Sequence, residues 1–120
     1  MTTRIDEPLL SDLKHLFLGL RDTARRHRVL VTVLLVPTYH QIARNEACGF
    51  QDALAPWLLE QGFDVFDPRS AFCAYPDPES LFLPDKHFNE KGNHILLGEL
   101  LRHVGYAAAP SPEIAERRLP

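Results

Sequence analysis

Hydrophobic residues recur every three or four positions after Pro8, which is the spacing of one helical face. This apolar face is formed by Leu9, Leu13, Leu16, Phe17, Leu20 and Ala24. Pro8 suits a first helical turn, and the basic run at residues 25–28 complements the negative carboxyl end of a helix dipole. The pattern therefore predicts an amphipathic helix that ends near this basic run.

The pattern then changes to an almost continuous apolar run at residues 29–36, which Pro37 ends. Such a run is typical of a parallel strand that is buried on both faces. A second helical pattern follows, ends at Gly62 and places these residues on one face: Phe50, Leu54, Trp57 and Leu58. Pro56 lies inside it and lacks an amide hydrogen, so we expect a kink or a late start. A short strand at residues 63–67 completes a strand–helix–strand unit, which predicts a right-handed parallel crossover.

Residues 68–89 contain four prolines among several aromatic residues, which indicates a loop with room for one short helical turn. The last helix is predicted from Glu90, with Asn89 as its cap and Gly105 at its end. Its apolar face is formed by Leu97, Leu100, Leu101 and Val104. We expect a single α/β domain over residues 1–106 and a tail over residues 107–120, with at most one helical turn at residues 113–117.

Composition narrows the class of protein. The chain has 120 residues, 45% hydrophobic and 24% charged, which is ordinary for one globular domain. A net charge of −3 argues against a nucleic-acid partner. The longest apolar run falls short of the roughly 20 residues that a membrane helix needs, and Asp6 and Glu7 stand where a signal peptide would be apolar. We expect a soluble chain, cytoplasmic by default, and Cys48 and Cys73 leave its redox compartment undecided.

Three polar segments follow or adjoin the predicted strands, at residues 37–40, 67–70 and 83–89. In open α/β sheets, ligands bind beyond the carboxyl ends of the strands. Asp85 and His87 are two residues apart, so in an extended segment their side chains point the same way. The carboxylate can then fix the imidazole tautomer and leave the other nitrogen free as a base. Spacing alone favours a simpler interpretation, in which Asp85 is a loop or capping residue and His87 is a surface imidazole.

The segment 85–94, Asp-Lys-His-Phe-Asn-Glu-Lys-Gly-Asn-His, resembles the final block of the SGNH, or GDSL-type, hydrolases. Residues 29–37 and 63–67 resemble the late strands of the same family. The resemblance implies a three-layer α/β/α sandwich of flavodoxin-like type, here partial and with a short parallel sheet. It also implies that His87 and Asp85 are the base and orienting residues of a Ser-His-Asp triad. The Asp-x-His spacing matches a branch that contains esterases and acyltransferases acting on acylated saccharides.

The family's nucleophile block, Gly-Asp-Ser, and its oxyanion blocks are absent from the 120 residues. The serines are Ser11, Ser70, Ser80 and Ser111, and none lies in a nucleophile elbow. The chain therefore resembles the carboxyl-terminal part of such an enzyme. We expect either a missing amino-terminal segment or self-association through an incomplete sheet. The competing hypothesis is a non-catalytic binding or interaction module on the same scaffold, since Met1 is also a plausible start.

Other candidate residues have simpler interpretations. Ser70 follows the second strand and could serve as an internal nucleophile, but a helix cap after Pro68 is the alternative. Cys73 lies among apolar neighbours, which favours a buried and inert thiol. Trp57 and Tyr39 could stack on a sugar, although the helical spacing of Trp57 favours the core.

Histidines and a carboxylate suit zinc or iron in kind, and the possible ligands are Asp85, His87, His94 and His40. Their spacing matches no metal motif, so we expect no metal and no cofactor. His103 lies on the last predicted helix and needs no special role there.

Overall fold

The first helix, α1, spans Glu7–His27 and confirms the amphipathic prediction. The computed structural model describes residues 6–105 of the chain. The side chain of Asp6 caps α1 by accepting a hydrogen bond from the Leu9 amide at 3.0 Å. The helix ends at Arg28, whose φ of 53° is left-handed and lets its N–H donate to the carbonyls of Ala24 and Arg25.

Strands β1 (Thr32–Leu34) and β2 (Asp64–Phe66) form a two-stranded parallel sheet. Thr32 pairs with Asp64 and Leu34 pairs with Phe66. The parallel pairing is as predicted, but the expectation of a fully buried strand over residues 29–36 is wrong. Leu30 is 77% exposed and Val36 is 48% exposed. In the described part of the chain β2 is the only strand that pairs with β1, so no third strand pairs with the other edge of β1.

Two helices connect the strands. Helix α2 spans Tyr39–Ala43 and begins with a capping box, in which the Thr38 side chain and the Gln41 side chain each bond the other's backbone. Helix α3 spans Gly49–Glu60 and runs through Pro56, so the late start expected from this proline is wrong. Leu54 and Leu58, on either side of Pro56, are buried and hold the helix against the core despite the missing amide hydrogen.

The segment 68–89 contains more regular structure than predicted. Helix α4 spans Arg69–Cys73, and a 3-10 helix spans Pro78–Leu81. Helix α5 spans Glu90–His103, and Asn89 caps it by accepting a hydrogen bond from the Gly92 amide at 2.9 Å. The predicted start and cap of the last helix are therefore confirmed. The predicted tail at residues 107–120 lies outside the described residues.

The buried residues form two clusters. The first lies between α1, α3 and the sheet, and consists of Leu10, Leu54, Leu58 and Phe63. The second lies between α2, α4 and the 3-10 helix, and consists of Ile42, Phe72 and Leu81. The molecule is thus a mixed α/β structure that is mostly helical. Within residues 6–105, no helix combines the length and the apolarity needed to cross a membrane.

Candidate functional site

Asp85 and His87 lie in a short β-hairpin between the 3-10 helix and α5. The Leu83 amide donates to the His87 carbonyl at 2.7 Å, and the Lys86 amide donates to the Leu83 carbonyl at 2.9 Å. Phe82 and Phe88 form the antiparallel bridge below this turn. Lys86 has a φ of 74°, in the left-handed region that favours glycine. This combination is the three-residue hairpin loop in which a type I turn is followed by a left-handed residue.

Aromatic rings fix the hairpin to the body of the molecule. Phe88 stacks on Phe82 and on Phe72, with ring centroids 4.9 Å apart in both pairs. Phe82 also meets the buried ring of Tyr39 edge to face at 5.1 Å. The Lys86 ammonium lies 4.3 Å from the centroid of the Tyr39 ring. The turn is therefore held against α2 and α4, although its tip is exposed.

The Asp85 carboxylate contacts His87 at two points, as the spacing predicted. Oδ1 accepts a hydrogen bond from the His87 backbone amide at 3.1 Å. Oδ2 lies 3.1 Å from Nδ1 of the ring. The hydrogen bond from the His87 backbone amide has the larger effect and the ring contact the smaller one, and together they hold the pKa of Asp85 below its usual range. The ring is 81% exposed, and its Nε2 has no hydrogen-bond partner among the described residues.

Ser70 is the second residue of α4 and is exposed. Pro68 occupies the N-cap position, and the Asp67 side chain accepts a hydrogen bond from the Arg69 amide at 3.1 Å, so the cap predicted for Ser70 is wrong. No hydrogen bond joins Ser70 to His87 in the described range. Instead, Ser70 lines a cavity on another side of α2.

This cavity has a volume of about 640 Å³ and adjoins the carboxyl end of β2, the end at which ligands bind in open α/β sheets. Its walls are formed by residues 41–42 and 45–48 and by Asp67, Arg69, Ser70 and Cys73. Arg69 is clamped in the wall, since Nε donates to Asp67 at 2.7 Å and Nη2 donates to Asp52 at 2.8 Å. Of the three polar segments predicted as ligand-binding positions, only residues 67–70 line this cavity, and residues 41–42 and 45–48 were not predicted to do so.

The cysteines differ from the prediction. Cys73 is exposed rather than buried, and Cys48 is half-buried. The reason is the orientation of α4, which turns Phe72 fully into the core and leaves the following residue outside. Both thiols line the cavity described above. The expectation of a buried Cys73 is therefore wrong.

A second carboxylate–histidine pair joins α5 to the sheet. Asp64 Oδ2 accepts a hydrogen bond from the Thr32 hydroxyl at 2.8 Å and lies 2.8 Å from His103 Nε2. The hydrogen bonds from Thr32 and then His103 hold the pKa of Asp64 below its usual value. The imidazole also stacks on Phe66 with centroids 4.6 Å apart. His103 thus has a structural role that the sequence did not predict.

The remaining candidate residues are dispersed. His40 packs edge to face on Tyr39 at 5.3 Å, and His94 lies on α5. Tyr39 is only 8% exposed, and the half-buried Trp57 packs against the first core cluster with the Lys14 ammonium 5.5 Å from its ring centroid. Over residues 6–105, no group of three or more histidine, cysteine or carboxylate side chains could hold a metal ion.

Comparison of the chain with protein-family models, with curated proteins and with solved structures finds no match.

Proposed function

We propose that Asp85 and His87 are the orienting carboxylate and the general base of an SGNH-type ester hydrolase or acyltransferase. The observation that carries this proposal is the two-point contact between the Asp85 carboxylate and His87, which leaves Nε2 facing solvent. The nucleophilic serine would come from sequence outside these 120 residues, because the Gly-Asp-Ser block is absent from them.

The chemistry follows from which nitrogen is bonded. When Nδ1 carries the proton and donates to Asp85, the lone pair of Nε2 can accept a proton from a serine hydroxyl. That serine attacks the acyl carbonyl of an ester, and Asp85 stabilises the imidazolium that forms. His87 then returns the proton to the leaving alkoxide, and the acyl group passes to water or to a sugar hydroxyl. Acylated saccharides are the substrate class that the sequence resemblance suggests.

We further propose that the sheet is the centre of a partial three-layer sandwich. Val33 and Val65, which are paired in register, pack against the cluster formed by α1 and α3. Side chains alternate along a strand, so Asp64 and Phe66 face the other way, and there they meet His103 of α5. Helices therefore contact opposite faces of the sheet, which supports this layered arrangement.

The tautomer of His87 tests the proposed base directly. In ¹⁵N NMR spectra, neutral His87 should carry its proton on Nδ1, with Nε2 as the unprotonated nitrogen. In the Asp85→Asn variant, whose side chain keeps its size but loses its charge, this preference should weaken. The other five histidines serve as internal references. A neutral His87 protonated on Nε2 in the unsubstituted chain would refute the assignment, because that nitrogen could not accept a proton.

The absence of a hydrogen bond between Ser70 and His87 favours a second candidate, a non-catalytic binding module on the same scaffold. A fluorophosphonate probe tests whether a nucleophile lies within this chain. We expect no labelled serine in the folded chain, as for a module or for a base separated from its nucleophile. Labelling of Ser70 that depends on His87 would place the nucleophile inside the chain. That result would refute both the binding module and a base whose serine lies outside these 120 residues.

A further inference from the structure

Helix α1 carries an apolar stripe that the rest of the described chain leaves largely open. Of the 21 residues in this helix, only Leu10 is buried. On the neighbouring side of the helix lie four leucines, Leu9, Leu13, Leu16 and Leu20. Leu16 is 71% exposed, Leu9 is 47% exposed and Leu20 is 42% exposed. Much of the apolar face that the sequence predicts for α1 therefore lies outside the core.

The spacing of these leucines is that of a contact between two helices. Successive leucines are four, three and four residues apart, which places them at alternating a and d positions of a heptad repeat. Such a repeat forms a line of side chains that a second helix can contact along its length. Single exposed leucines need no explanation, but a continuous line of them indicates an interaction surface.

The distribution of charge along α1 suits a second copy of the same helix that runs in the opposite direction. The helix begins with the carboxylates of Asp6 and Glu7 and ends with the basic residues 25–27. In a parallel pair, like charges would lie together at both ends. In an antiparallel pair, each acidic end lies beside a basic end, and the two helix dipoles oppose each other.

We propose that α1 pairs antiparallel with α1 of a second copy of this chain, about a two-fold axis near Gly19. When the two helices overlap along nearly their full length, Leu16 of each copy packs on Leu20 of the other. Asp12 of each copy then lies beside Arg26 of the other on one flank of the contact, so the symmetry forms this ion pair twice.

Gly19 supports the position of the axis. A Cβ atom added there would meet nothing within 4 Å among the described residues, so packing within one copy does not require a glycine. Glycine in the interior of a helix is destabilising relative to alanine. At the two-fold axis, Gly19 of one copy faces Gly19 of the other, and the missing side chains let the two helices approach closely. The pairing therefore accounts for a glycine that the single chain does not explain.

The test measures the mass of the 120-residue chain by sedimentation equilibrium at several concentrations. Every variant also carries Leu30→Glu, which places a charge beside β1 and prevents pairing through the edge of the sheet. On this background we expect a dimer of chains of 13.7 kDa. Adding Leu16→Glu should give a monomer. Adding Leu59→Glu, which charges an exposed leucine of α3, should leave the dimer intact.

An exchange of charges tests the antiparallel direction. Asp12 and Arg26 lie about 21 Å apart along α1, too far to meet within one copy. Asp12→Arg or Arg26→Asp alone should weaken the dimer roughly tenfold, because each places like charges together. The two changes combined should restore most of the lost affinity, because the ion pairs re-form with their partners exchanged.

Three results would overturn the proposal. The first is a monomer with Leu30→Glu alone, which means that α1 does not associate. The second is the same mass for the Leu16→Glu and Leu59→Glu variants, which means that the leucine stripe is not the contact. The third is a doubly exchanged chain that associates no better than the single variants, which means that Asp12 and Arg26 do not meet. Circular dichroism of each variant establishes that it is folded before the masses are compared.

Discussion

Gly92 is the position at which a single methyl group should separate α5 from the hairpin. A Cβ atom added there would lie 2.4 Å from the Leu81 carbonyl oxygen and 2.9 Å from Cδ1 of Phe88. Neither neighbour can move easily. The Leu81 carbonyl accepts a hydrogen bond from the Asn89 amide at 2.9 Å, and the Phe88 ring is stacked on two others. Gly92→Ala must therefore displace the start of α5.

The expected cost combines two opposing effects. Overpacking of a close contact costs typically about 1–3 kcal/mol, and the disturbed hydrogen bond to Leu81 adds about 1 kcal/mol. Alanine in place of glycine regains about 1 kcal/mol of helix propensity. We therefore expect Gly92→Ala to lower the free energy of unfolding by roughly 1–3 kcal/mol.

Gly98 provides a matched control in the same helix. Its added Cβ would meet nothing nearer than the Arg102 guanidinium at 4.0 Å. Gly98→Ala should therefore raise the free energy of unfolding by up to about 1 kcal/mol. Urea unfolding followed by circular dichroism measures both variants. If both substitutions stabilise the chain equally, α5 does not pack on Leu81 and Phe88 as described, and the support of the hairpin is refuted.

Four further outcomes are expected. The free energy of unfolding of Lys86→Gly should be about 1 kcal/mol higher than that of Lys86→Ala, because both lose the ammonium but only glycine adopts the left-handed φ freely. Equal free energies in urea unfolding would contradict the strained turn. The pKa of Asp64 is lower in the folded chain than in the unfolded chain, where it is about 3.9. The ionised Asp64 carboxylate therefore stabilises the fold above that unfolded value, and this stabilisation is lost as the pH falls through the folded pKa. The difference in stability between the chain and Asp64→Asn should therefore shrink in acid, and a constant difference would contradict this. The chain and its His87→Ala variant should hydrolyse p-nitrophenyl acetate at the same rate, and a clear loss in the variant would indicate an internal nucleophile. Light scattering at micromolar concentration should show a dimer or larger species, whereas a stable monomer would mean that the edge of β1 is covered.

That last expectation rests on the hydrogen bonds of β1. The backbone groups of Val31 and Leu35 bond to β2, with distances of 3.2 Å and 2.9 Å. In a parallel ladder, alternate residues bond to opposite sides, so the groups of Thr32 and Leu34 point to the outer edge. The neighbouring residues Leu30 and Val36 are exposed and uncharged, which leaves this edge without the charges that usually prevent strand pairing.

Local signals explain which elements could be predicted from the sequence. The hydrophobic face of α1 and the Asn89 cap of α5 lie within a few residues of the structure they determine. The length of β1 depends on neighbouring strands, which its own apolar run does not reveal. The exposure of Cys73 depends on the rotation of α4, a helix of five residues that is too short to show a period.

The same distinction separates the two carboxylate–histidine pairs. Asp85 and His87 are two residues apart, so an extended segment was sufficient to predict their contact. Asp64 and His103 are 39 residues apart and meet only because α5 returns to the sheet. Cys48 and Cys73 likewise line one cavity only through tertiary structure, since one precedes α3 and the other ends α4.

The packing beneath the Asp85–His87 turn sets the position of its backbone. The three-residue loop requires a left-handed residue at its third position, and a stack of three rings lies below it. Here Lys86 adopts that conformation, its ammonium covers Tyr39, and Gly92 admits the close approach of α5. These features hold the backbone of the turn, so the proposed general base, His87, lies on a supported loop although its imidazole is 81% exposed.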